Sequence, residues 1–136
     1  MFLSRAQLLN ALDWPDPVNV RAGTMSWTRT VGEGRATRVV SASVVVTDRA
    51  VACRMRSAQV SRPGHLEPHV EAVWRTLGNT PPKLSRWVVD GQDRDPKSST
   101  APSEALSHFR SAVASLGGSP VFMPAPNGNE PGWAMP

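Results

Sequence analysis

Alternation of apolar and polar residues dominates the first half of the chain. In TRVVSASVVVT (37–47), Val40, Ala42, Val44 and Val46 share one parity, while Ser41, Ser43 and Val45 share the other. In VACRMRSA (51–58), Val51, Cys53 and Met55 alternate with Arg54 and Arg56, and in TMSWTRTV (24–31), Met25, Trp27 and Val31 alternate with Ser26, Thr28 and Thr30. A period of two is that of a half-buried strand. The short connections GEGR and DRA predict an antiparallel meander with one core face and one Ser/Thr/Arg face.

Helical spacing frames this block. SRAQLLNALD (4–13) places Ala6, Leu8, Leu9 and Leu12 on one stripe behind a capping Ser4, and WPDPVN stops it. PHVEAVWRTLG (68–78) predicts a second helix: Val70, Val73, Trp74 and Leu77 fall at i, i+3, i+4 and i+7, with Pro68 opening and Gly78 closing it. KLSRWVVDG reads as a fourth strand and DRDPKSST as a loop. APSEALSHFRSAVASLGG is a third helix, with Leu106, Phe109, Val113 and Leu116 on one side. The expected fold is one small α+β domain over residues 1–117, in the order α-β-β-β-α-β-α. Its helices pack on one face of the meander. Residues 118–136 form an extended Pro/Gly-rich C-terminal arm without regular structure, carrying Phe122, Met123, Trp133 and Met135 as apolar anchors for docking.

At 136 residues and 40% hydrophobic content the chain is long enough for one modest core. Charge changes the picture more. There are thirteen arginines but two lysines, with no Ile and no Tyr, a bias that suits a GC-rich genome and weakens any inference from arginine alone. Residues 21–62 hold eight arginines against Glu33 and Asp48, a local excess of six within a total of +4. On the meander, Arg54 and Arg56 project from the open face, with Arg35, Arg38 and Arg49 at or near its turns. These five are the candidate contacts for an anionic partner.

Candidate chemistry is sparse. His65, Glu67, His69 and Glu71 recur at every second position, but Pro68 divides the two histidines between elements, so His65 and His69 are weak metal candidates. Cys53 has the parity of a buried residue, and one cysteine excludes an internal disulfide. The acids of DGQDRDP lack calcium-loop spacing. No phosphate-binding glycine loop or nucleophile elbow occurs. No cofactor is expected, no leader is recognisable at the N-terminus, and no apolar run suits a membrane span.

Three functions follow as expectations. The first is a non-enzymatic protein-interaction or assembly subunit that docks through its C-terminal arm onto another protein or a second copy. A phage or other mobile element of a GC-rich host would suit it, in the cytoplasm or in a virion assembled there. The second is a nucleic-acid binder using the arginine face. The third is a metal-dependent enzyme at His65, Glu67 and His69.

Overall fold

The computed structural model describes residues 3–15, 22–59 and 66–125. Its elements run α1 (Arg5–Ala11), β1 (Gly23–Val31), β2 (Arg38–Val46), β3 (Ala50–Gln59), β4 (Leu66–Arg75), β5 (Lys83–Val89), β6 (Gln92–Asp93), α2 (Ala101–Leu116) and β7 (Val121–Pro124). The domain is mixed α+β, and its antiparallel sheet is larger than the meander of three or four strands that the pattern suggested. Seven strands lie in the order β6-β5-β4-β3-β2-β1-β7.

Three segments depart from expectation, the smallest being the two-residue β6, which pairs with β5 where a loop was expected. Residues 68–75, read as helical, belong to the interior strand β4, paired with β3 on one side and β5 on the other. Val70, Val73 and Trp74 fit a helical stripe, but Val70, Ala72 and Trp74 fit a strand face equally well. Over so short a run the two periods cannot be separated. Two neighbours with open backbone groups decide the matter, since a helix here would leave the facing edges of β3 and β5 unbonded. Leu77, the supposed end of the stripe, is 79% exposed. Gly78 keeps a left-handed φ of 62°, but it turns the β4–β5 connection and ends no helix.

The second departure is in the arm, where residues 121–124 form β7 against β1. Gly23 makes that approach possible. A Cβ there would lie 2.7 Å from the Met123 carbonyl oxygen, and the Gly23 φ of 156° disfavours a side chain.

The predicted helices at either end of the described chain form as expected. Ser4 and Gln7 make a reciprocal capping box on α1, with Gln7 N–H donating to Ser4 Oγ and Ser4 N–H to Gln7 Oε1. Arg29 on β1 donates from Nη1 to the Leu116 carbonyl, satisfying an open acceptor at the end of α2 and binding that helix to the sheet.

Both helices feed one core: Leu8 and Leu9 from α1, Leu12 just after it, and Ala101, Ala105, Leu106 and Phe109 from α2, meet Met25, Val44, Val46, Val51, Cys53, Val70, Ala72, Trp74, Trp87 and Val89. Trp74 and Phe109 are each 1% exposed, and burial of a side chain that size contributes about 2–3 kcal/mol. Among the described residues no helix is long and apolar enough to cross a membrane.

Candidate functional site

Strand register sorts the side chains on the sheet face away from both helices into transverse rows. One row reads Val121, Ser26, Ser43, Arg54, Glu71 and Val88, from β7 across to β5. Its neighbour reads Met123, Thr24, Val45, Ala52, Val73 and Arg86. Val45, Ala52 and Val73 form a second hydrophobic cluster, 1–2% exposed, to which neither helix contributes. This face is therefore more than a solvated Ser/Thr/Arg surface: it has an apolar strip, a polar middle and a charged end.

The charged end centres on Glu71, which is 5% exposed. Arg86 Nε lies 2.9 Å from its Oε1, while Arg54 Nε and Arg56 Nη2 lie 3.6 and 3.9 Å from its Oε2. Antiparallel pairing places Arg54 directly opposite Glu71, and Arg86 reaches Glu71 from β5. Arg54 is 9% exposed, and the Nε atoms of Arg54 and Arg56 are buried with no hydrogen-bond partner. One carboxylate thus faces three guanidiniums, and only one of the three is at hydrogen-bonding distance.

The five arginines singled out in the sequence do not converge. Arg54 and Arg56 join the Glu71 cluster. Arg35 is exposed in a 3-10 turn before β2, and Arg49 is exposed after it, at the far end of that nine-residue strand. Arg38 donates from Nη1 to Ser57 Oγ at 3.3 Å. The missing members of the cluster are Arg86 and Glu71. Reading VEAVWR with a period of two would have placed Glu71 on the face of Arg54.

His69 lies in β4, 2.6 Å from Ser57 Oγ through Nε2, within a polar chain that continues to Arg38. His65 lies outside the described residues. Among the described residues no group of three His, Cys, Asp or Glu side chains could hold a metal ion. Burial pushes the Cys53 thiol far above its usual range, with Arg54 opposing weakly. Such a thiol is protonated and packs as a small hydrophobe.

Of the arm residues, Phe122 packs on the core, while Val121 and Met123 stand 63% and 67% exposed. Trp133 and Met135 lie outside the described residues. The outer edge of β7 is poor in donors. Ala125 N–H donates to the Ala22 carbonyl, so alternation along the pair turns the backbone of residues 121 and 123 towards β1, and that of 122 and 124 outward. Position 124 is proline, as is position 120 just before the strand, which leaves Phe122 as the outward N–H of β7.

No protein-family model, curated protein or solved structure matches the chain.

Proposed function

We propose that the chain is a non-enzymatic interaction or assembly subunit whose docking surface is the face of β7 and β1, with a second copy as the first partner to test. One observation carries the reading: Val121 and Met123, two positions apart on one face of β7, leave most of their apolar surface in water. Exposed apolar side chains that stand together mark contact sites more often than scattered ones do. The proline-flanked edge disfavours extension of the sheet by another strand, so contact runs through the side-chain face. This narrows the expected docking arm to its first residues, because Phe122 is already committed to the chain's own core.

The test is the solution mass of full-length protein and of a Val121→Thr, Met123→Gln double variant, by light scattering across a concentration series. Truncation at residue 117 is unsuitable, because it would remove a strand of the sheet. The reading expects a mass above the 14.7 kDa monomer that falls to the monomer in the variant. A wild-type monomer throughout, or an oligomer untouched by the double substitution, would overturn self-assembly through this face.

A further inference from the structure

The cluster around Glu71 is electrostatically incomplete. Three guanidiniums against one carboxylate leave two positive charges in excess. The geometry is also unsaturated. Arg54 is buried, but its Nε has no hydrogen-bond partner, and the nearest carboxylate oxygen stands 3.6 Å away. Arg56 Nε is buried and unpartnered too, and its Nη2 contact, at 3.9 Å, is longer than a hydrogen bond. Burying a charged donor without a partner is costly, and a fold that retains two such donors side by side gains from an acceptor placed between them.

We propose that Arg54, Arg56 and Arg86, oriented by Glu71, form a binding site for a phosphate dianion, free or as a monoester. The three side chains differ in depth. Arg54 lies beneath, while the side chains of Arg56 and Arg86 are 42% and 57% exposed, so a ligand approaching from solvent meets those two forks first. Guanidinium forks match phosphate oxygens bidentately, and several oxygens can accept from more than one fork. Ser43 and Ser41, paired with Arg54 and Arg56 on β2, border the site with hydroxyl-bearing positions.

Charge selects among phosphates. An inorganic phosphate or monoester carries about 1.5 to 2 negative charges at neutral pH, close to the excess of two. Each phosphodiester of a nucleic-acid strand carries one, spread along a line, whereas this cluster is a single point and Arg35 and Arg49 lie at opposite ends of β2. Glu71 has the role of a positioning residue: it fixes the Arg86 fork through the 2.9 Å contact and keeps the cluster tolerable in the free protein. The site stands independently of whether the chain self-associates.

The experiment follows the arginine Nε–H signals of the full chain by NMR during titration with inorganic phosphate, at constant ionic strength set with chloride. Arg86→Gln and Arg56→Gln test the two exposed forks, and Arg110→Gln, exposed on α2, is the control. The expected result is a saturable shift of the Arg54 and Arg56 signals, with a dissociation constant on the order of 1 mM or tighter. Each fork variant should weaken it about tenfold while the control leaves it unchanged. O-phosphoserine should compete at similar concentration, which would extend the site to monoesters. A linear, unsaturable response, or wild-type affinity in both fork variants, would overturn the site. So would a short single-stranded oligonucleotide that shifts the same signals when phosphate does not, because the face would then be reading diesters.

Discussion

Phe122 stands edge-on against Trp14, with ring centroids 5.1 Å apart and ring planes at 80°. The contact joins the residues after α1 to the strand after α2, so the two ends of the described fold meet at one sheet edge. Edge-to-face aromatic pairs contribute about 1 kcal/mol beyond the area they bury. Phe122→Ala is expected to cost about 2–3 kcal/mol in urea unfolding, less than a full core deletion because Phe122 is half-buried. A double-mutant cycle with Trp14→Leu should show a coupling of about 1 kcal/mol. A coupling near zero would mean that the rings are neighbours without energetic consequence.

Gly23→Ala should detach β7 and spare the rest of the sheet. The added methyl would meet the Met123 carbonyl at 2.7 Å, which backbone cannot relieve without moving. Hydrogen exchange is the direct readout. Amides of Val121 and Met123 should lose protection, while those of β3 and β4 keep theirs, with a global loss on the order of 1–2 kcal/mol. Retained protection at Met123 would show that the pairing with Thr24 does not require glycine at position 23.

Glu71→Gln removes the one negative charge among three guanidiniums. The expected loss is about 3 kcal/mol, since buried Arg54 would be left without its counter-charge. Part of that loss should return at high salt, where ions screen the two exposed arginines. Equal stability of variant and wild type at low salt would show that the cluster is not held by its carboxylate.

Cys53 sets an alkaline limit. Burial holds its folded-state pKa above the unfolded value, so the stability it contributes is complete below the unfolded pKa of about 8.5 and is lost as pH rises beyond it. Each further pH unit should cost roughly 1.4 kcal/mol until the folded thiol itself ionises. Cys53→Ala should remove this slope, measured as unfolding free energy between pH 8 and 10. The same burial predicts that a thiol reagent modifies native protein only as fast as the chain opens. An alkaline slope unchanged in Cys53→Ala would assign the effect to other groups.

Where local signals were self-sufficient, the elements were legible. Ser4 and Gln7 cap α1 within four residues of chain, and the alternation over 40–44 points one strand face towards the helices. Asp90-Gly91 was a further legible sign. It turns β5 into β6 with φ of 52° and 78°, the left-handed pair that a two-residue hairpin favours, although the acids there read as a plain loop. The candidate site was half legible. Arg54 and Arg56 stood out by parity, but Arg86 and Glu71 were hidden, because Glu71 lay in a segment whose spacing also suits a helix.

The sequence by itself determined that this chain is a small α+β domain, with a central meander, a capped first helix, a long last helix and a surplus of arginine. Those properties follow from periodicity, capping and composition, which act over a few residues. Only the tertiary structure decided that 68–75 is a strand, that 121–124 closes the sheet, and that Glu71 draws Arg54, Arg56 and Arg86 together. Each of these depends on hydrogen bonds or charges from distant parts of the chain. A short apolar run takes the conformation that its neighbours' open edges require, and an arginine finds its carboxylate only once the register is set.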